Sequence, residues 1–171
     1  MIQKKVCMVG VYGTGKTCLV QRFVHSIFST RYQSTVGVKI DRKVVLVDDE
    51  PVTLLLWDLE GRDHSHDIAP SYLRGAHGLI YVVDGTRRDT LDQAFELRDL
   101  AERAAGPVPS VIALNKMDLR DDWVLESGDI DRLASESWHP LRTSAKTGEG
   151  VEAAFGWLAR ATVGGADKAD T

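Results

Sequence analysis

Short runs of Val, Ile and Leu take turns with stretches whose apolar residues recur at about every third or fourth position, from one end of the chain to the other. Strands are predicted over 3–9, 38–47, 52–57, 78–84, 109–114 and 140–143, each short and rich in β-branched, leucine or aromatic residues. Helices are predicted over 15–26, 90–104, 129–137 and 149–161, with a weaker one over 66–74. The second and third strands meet across Asp48-Asp49-Glu50-Pro51 and so form a hairpin, whereas every later strand is reached through a helix. The implied architecture is an α/β three-layer sandwich with a mostly parallel sheet, one antiparallel edge strand and helices on both faces. In such sheets ligands bind beyond the carboxyl ends of the strands.

The first of those ends carries the most specific signal. Gly10-Val11-Tyr12-Gly13-Thr14-Gly15-Lys16-Thr17 fits the phosphate-loop pattern and lies between the apolar run Val6 to Val9 and the first predicted helix. Gly13 and Gly15 let the backbone curl so that its N–H groups face phosphates. Lys16 neutralises charge on the terminal two phosphates, and the Thr17 hydroxyl ligates Mg²⁺. The dipole of the following helix adds positive potential at the same place.

Composition narrows the partners. The 171 residues fit one domain, and a hydrophobic fraction of 43% with 27% charged residues is that of a globular protein. A net charge of −4 without a long Lys/Arg block argues against nucleic acid. Cys7 and Cys18 are read as buried free thiols of a reducing compartment. No secretory segment, membrane span or lipidation motif is visible, so the expected location is cytoplasmic and any membrane role needs recruitment. The expected division is a domain over 1–163 and a polar, disordered tail over 164–171.

Three further strand ends place suitable chemistry near the phosphate loop. Trp57-Asp58-Leu59-Glu60-Gly61 delivers a carboxylate, Asp58, able to hold Mg²⁺ opposite Thr17, and Gly61 can bring its N–H to the terminal phosphate. In Asn115-Lys116-Met117-Asp118, Asp118 can accept from N1–H and the exocyclic amino group of guanine, a pair that adenine lacks. A site built around such donors rejects the analogue lacking them by about 10⁴–10⁵. The Lys116 stem can cover the base, and Asn115 can tie the segment to the phosphate loop. Thr143-Ser144-Ala145-Lys146 offers the Ala145 N–H to the guanine carbonyl oxygen.

With these segments in this order, the chain resembles the Ras superfamily of small GTPases over about Lys4 to Arg160, its Rab-like branch most closely. Gly15-Lys16-Thr17-Cys18-Leu19, Ser34-Thr35-Val36-Gly37-Val38, Tyr72-Leu73-Arg74-Gly75-Ala76-His77-Gly78 and Thr143-Ser144-Ala145-Lys146-Thr147-Gly148 look Rab-like in detail. The resemblance implies the P-loop NTPase sandwich with a six-stranded sheet, binding of GTP or GDP with Mg²⁺, and GTP hydrolysis. It implies a nucleotide-contacting set of Gly13, Thr14, Gly15, Lys16, Thr17, Cys18, Phe28, Tyr32, Thr35, Gly61, Asn115, Lys116, Asp118, Ser144, Ala145 and Lys146. Phe28 would pack edge-on to guanine, Tyr32 would fold over the phosphates, and Thr35 would join Thr17 and Asp58 on the metal only while the terminal phosphate is present. Segments 28–38 and 60–74 would then form a switch read by effector and regulatory proteins, over Val36, Gly37, Val38 and the exposed face of Trp57. Trp57 reads equally well as core.

Three residues depart from that family around one phosphate. Arg62 stands where most members have the glutamine that orients the attacking water, and arginine has donors but no acceptor. It either points into solvent, leaving hydrolysis slow, or serves as an arginine finger in cis, a role worth about 10³–10⁵ in rate. Glu60 replaces a small residue, and Tyr12 replaces a glycine or other small residue near the terminal phosphate. Together Tyr12, Glu60 and Arg62 imply slow turnover, and they keep open a GTP-loaded scaffold as well as a cycling switch. A phosphate-loop kinase would leave Asn115-Lys116-Met117-Asp118 unexplained. His64 and His66, alternating on a polar loop without a third ligand, read as solvated.

Overall fold

The computed structural model describes residues 1–29, 37–59 and 70–164. In chain order the elements are β1 (Ile2–Val9), α1 (Lys16–His25), β2 (Val38–Val47), β3 (Glu50–Leu59), α2 (Pro70–Leu73), β4 (Gly78–Asp84), α3 (Arg88–Ala105), β5 (Ser110–Asn115), α4 (Ser127–Ser135), β6 (Pro140–Arg142) and α5 (Val151–Gly164). Among the described residues one six-stranded sheet has the order β2-β3-β1-β4-β5-β6. β2 is antiparallel to β3, and the other pairings are parallel. The expected sandwich, with its antiparallel edge strand, is therefore the observed one.

Strand period two divides the core into two layers. Val6, Met8, Leu54, Leu56, Ile80 and Val82 face α1 and α5, where Phe23 and Phe155 stack at 4.1 Å. Cys7, Val9, Leu79, Tyr81 and Val83 face the other way, onto Leu91, Ala94 and Leu97 of α3 and Leu133 of α4. β4 is buried along its whole length, so the centre of the sheet, where the phosphate loop begins, is its most enclosed part.

Element boundaries differ from the sequence expectation where turn chemistry decides them. Asp48 and Asp49 both have positive φ, 50° and 67°, which makes a two-residue hairpin turn, so Glu50 and Pro51 pair with Val47 and Leu46. β1 joins β3 only from Val52, so Pro51 needs no N–H on that side. α4 starts at Ser127 because Glu126 and Asp129 form a capping box. Gly150, at φ +73°, packs its backbone against the Arg142 carbonyl, which delays α5 to Val151. That helix runs through Gly164, where the polar tail was expected to begin; 165–171 lie outside the described residues. The weak helix over 66–74 is observed as Pro70–Leu73, the preceding part lying outside them too.

Candidate nucleotide-binding site

β1 sends its connection toward β3 on one side, while β4, β5 and β6 extend the sheet on the other. The crevice at the β1/β4 carboxyl ends is thus a topological switch point, the usual place for a ligand in an open α/β sheet. Gly10 to Thr17 fills it. Gly13 and Gly15 have φ of +78° and +100°, conformations that cost other residues. A Cβ at Gly10 would come within 2.6 Å of the Val82 carbonyl oxygen, so the loop leaves the sheet against β4 backbone. Lys16 is 6% exposed, and its Nζ donates to the carbonyl oxygens of Gly10 at 2.8 Å and Val11 at 3.0 Å. Burial lowers its pKa to about 8 against the opposing pull of Asp58. The N-cap of α1 is Gly15, without a side-chain cap, and no acidic residue occupies the first turn. First-turn N–H groups free of a side-chain cap, with a buried ammonium beside them, suit an anion.

The end of β3 brings the metal candidates together. Thr17 Oγ1 donates to Asp58 Oδ2 at 2.6 Å, and Asp58 is 1% exposed. A hydroxyl and a carboxylate converging on one point are hard oxygen donors of the kind Mg²⁺ takes. Among the described residues no group of three or more His, Cys, Asp or Glu could hold a metal alone. Waters and phosphate oxygens would complete the coordination, as is common for Mg²⁺.

At the end of β5, Asn115 joins two loops. Its Nδ2 donates to the Thr14 carbonyl at 3.0 Å, and its Oδ1 accepts from Thr143 Oγ1 at 3.1 Å. Lys116, at φ +69°, sends Nζ to the Gly13 carbonyl at 2.9 Å. Asp118 Oδ1 accepts from Ser144 Oγ at 2.7 Å, and Ser144 Oγ in turn accepts from Thr147 N at 3.1 Å, closing the β6–α5 loop. Arg22 of α1 donates to the Ala145 carbonyl at 2.6 Å and to that of Lys146. Loops from β1, β5 and β6 are therefore one hydrogen-bonded body.

Comparison with known proteins decides the family. The Ras family profile matches residues 5–163. Ras-related protein Rab-1 of Theileria parva is 34% identical over 160 residues, covering 92% of this chain and 73% of that protein. Ras-related protein Rab-26 of Mus musculus is 38% identical over 160 residues, covering 91% of this chain and 61% of that protein. The chain belongs to the Ras family. It is a Rab-like small GTPase, and GTP or GDP is the nucleotide its family binds, usually with Mg²⁺.

Within this small GTPase the structure brings Gly13, Thr14, Gly15, Lys16, Thr17, Asp58, Asn115, Lys116, Asp118, Ser144, Ala145 and Lys146 to one end of the sheet. Phe28 lies beyond α1, 38% exposed. Cys18 is half-buried rather than buried, whereas Cys7 is buried and its thiol is pushed up to about 11 by that burial. Trp57 is both surface and core: its half-buried ring packs against the core and carries Lys5 Nζ 3.7 Å from its centre. Tyr12 is described, and its carbonyl accepts from Arg87. Tyr32, Thr35, Val36, Glu60, Gly61, Arg62, His64 and His66 lie outside the described residues. No helix among the described residues is long and apolar enough to cross a membrane.

Sequence reading overlooked Asp84 and Arg22, and named Thr143 within its motif without foreseeing its bond to Asn115. Asp84 follows an apolar strand just as Asp58 does, so a signal existed. It is 1% exposed and accepts at Oδ1 from Thr86 N and Oγ1, at 2.9 and 2.6 Å, and at Oδ2 from Lys116 Nζ at 2.8 Å. Burial acts to raise its pKa, but the bonds from Lys116 and Thr86 overcome this and hold the carboxyl below its ordinary value.

Proposed function

We propose that this small GTPase is a GTP/GDP switch with slow hydrolysis, working in the cytoplasm through contacts that segments 28–38 and 60–74 make with effector and regulatory proteins. The observation that carries the nucleotide reading is Asn115, buried between the phosphate loop and Thr143 and followed three residues on by Asp118, which accepts from Ser144. Such an arrangement supports a role for Asp118 as the carboxylate that accepts from guanine, at a fixed separation from amides that would face the phosphates. In this reading Asp118 accepts from guanine, Lys116 and Phe28 flank the base, and the Ala145 N–H meets its carbonyl oxygen, with Ser144 and Lys146 framing the pocket. Gly13, Thr14, Gly15, Lys16, Thr17 and Cys18 hold the phosphates, and Tyr32 and Gly61 close on them. Mg²⁺ held by Thr17, Thr35 and Asp58 would neutralise phosphate charge. The Thr17–Asp58 contact supports that pair.

Slow hydrolysis follows from residue chemistry. Water attacks the terminal phosphorus as the bond to the bridging oxygen breaks, and a side chain must accept from the water to aim it. Arg62 cannot accept; by the family resemblance Glu60 would bring negative charge near the terminal phosphate, and the Tyr12 ring would crowd the place where an activating protein inserts a cation. Single-turnover GTP hydrolysis should be slower in the parent than in Arg62→Gln or Tyr12→Gly; a parent faster than both would overturn this reading. The same three residues favour a second reading, a GTP-loaded scaffold without relevant turnover. GDP in the isolated protein supports cycling, and retained GTP supports the scaffold.

A further inference from the structure

Arg87, between β4 and α3, has no part in the reading above. Its Nε donates to Asp84 Oδ2 at 3.2 Å and its Nη2 to the Tyr12 carbonyl oxygen at 2.9 Å. Lys116 Nζ meets the same Asp84 oxygen at 2.8 Å and the Gly13 carbonyl at 2.9 Å. One buried carboxylate thus carries two cations, and each cation holds the carbonyl of one of two successive phosphate-loop residues. A Cβ on Gly13 would stand 3.4 Å from Arg87 Nη2, so the guanidinium lies directly against the loop.

Peptide planarity turns these contacts into a statement about the other side of the loop. In a trans peptide the C=O and the following N–H point in opposite directions. Holding the Tyr12 and Gly13 oxygens toward Asp84 therefore turns the N–H groups of Gly13 and Thr14 away from it. Two cations against one carboxylate also leave a net positive charge beneath the loop. We propose that Arg87, anchored by Asp84, is a positioning residue that works beside Lys116 to preset the phosphate-facing amides of the nucleotide loop. This rests on the reading of that loop as a nucleoside-phosphate site.

Arg88 supplies the comparison. It pairs with Asp129 on α4, Nη1 at 2.9 Å and Nη2 at 2.5 Å, and has no bond to the loop. An exposed ion pair of that kind contributes little beyond local stability. The test uses the full chain loaded with fluorescent GDP or GTP, release being followed after a chase with unlabelled nucleotide, alongside thermal unfolding and phosphorus NMR of the bound nucleotide. Arg87→Ala should release nucleotide about tenfold faster and shift the phosphate resonances. Arg87→Lys should fall between Arg87→Ala and the parent, because one ammonium lacks the fork that spans Asp84 and Tyr12. Arg88→Ala should change neither release nor resonances, whatever it does to unfolding. Release from Arg87→Ala no faster than from Arg88→Ala, with unmoved resonances, would overturn the inference and leave nucleotide binding standing. A parent that retains no guanine nucleotide overturns the binding reading itself and this inference with it.

Discussion

Asn115→Ala is the substitution with the most to say about how the site is built. Asn115 is 2% exposed and spends both ends of its amide on partners that are themselves 0% exposed, Thr14 and Thr143. Truncation strands the Thr14 carbonyl oxygen and the Thr143 hydroxyl where water has no access. Each stranded group costs about 1–3 kcal/mol, so the total is about 2–6 kcal/mol, a large part of the ~5–15 kcal/mol that holds a domain folded. Asn115→Asp should be no better at neutral pH, because it sets a carboxylate oxygen about 3.0 Å from the Thr14 oxygen in place of the donor. Thr143→Val should cost about 1–3 kcal/mol, by orphaning Asn115 Oδ1 alone. Combined with Asn115→Ala it should be clearly less than additive, with a coupling of about 0.5–3 kcal/mol. Urea unfolding followed by circular dichroism measures the stability terms. Guanine nucleotide release, measured on the same samples, should quicken by about tenfold or more if 1.4 kcal/mol of the loss falls on the Thr14–Gly15 peptide. A double mutant whose cost is the plain sum of the singles would refute the reasoning, as would Asn115→Ala with parental stability.

Two other perturbations probe the same end of the sheet and its flank. Gly10→Ala should destabilise by about 1–3 kcal/mol and weaken nucleotide retention, since the new methyl lies 2.6 Å from a β4 backbone oxygen and 3.2 Å from Thr14 Oγ1, so that β1 and its loop must move together; calorimetry and equilibrium binding would show both effects. His77 accepts the Lys5 N–H on Nδ1 at 2.8 Å, and burial, with the charges of Lys4 and Lys5, lowers its pKa below the ordinary 6.5. The neutral ring is therefore the form the fold favours, and its contribution is complete above about pH 6.5 and lost as pH falls through the lowered folded value. The melting temperature should fall more steeply between pH 7 and 5 for the parent than for His77→Asn, and parallel curves would count against this.

What the sequence makes legible follows from how local each feature is. The phosphate loop could be recognised because its glycines, lysine and threonine act on one ligand from eight consecutive positions. Asn115 and Asp118 were likewise readable from their place after an apolar run, since strand polarity alone decides which end of the sheet they reach. Arg87 and Tyr12 are 75 residues apart, and Arg22 and Ala145 are 123 apart. Those contacts exist only because β4 lies next to β1 and α1 next to α5, a consequence of sheet order that no local pattern announces. Asp84 shows the limit most clearly. Its local signature matches that of Asp58, yet one carboxylate meets a threonine hydroxyl at the metal candidate site and the other meets two cations. Boundaries such as Ser127 and Glu50 were missed for a different reason: they depend on a capping box built from Glu126 and Asp129, and on two aspartates at positive φ, arrangements that compete closely with ordinary loop conformations.

The polar contacts of the site form two relays that begin on the same loop. One runs from Thr14 through Asn115 to Thr143; the other runs from Tyr12 and Gly13 through Arg87 and Lys116 to Asp84. Asn115 and Lys116 are neighbours at the end of β5, so both relays are fixed to one point of the sheet. A loop with two glycines at positive φ has little stiffness of its own, and here three side chains, from Arg87, Asn115 and Lys116, hold three successive carbonyls, those of Tyr12, Thr14 and Gly13. The amides on the opposite side are thereby arranged before any phosphate arrives, which removes an ordering cost from binding. The same arrangement ties nucleotide retention to the integrity of the β4 and β5 ends. Damage there should appear first as faster release and only afterwards as unfolding.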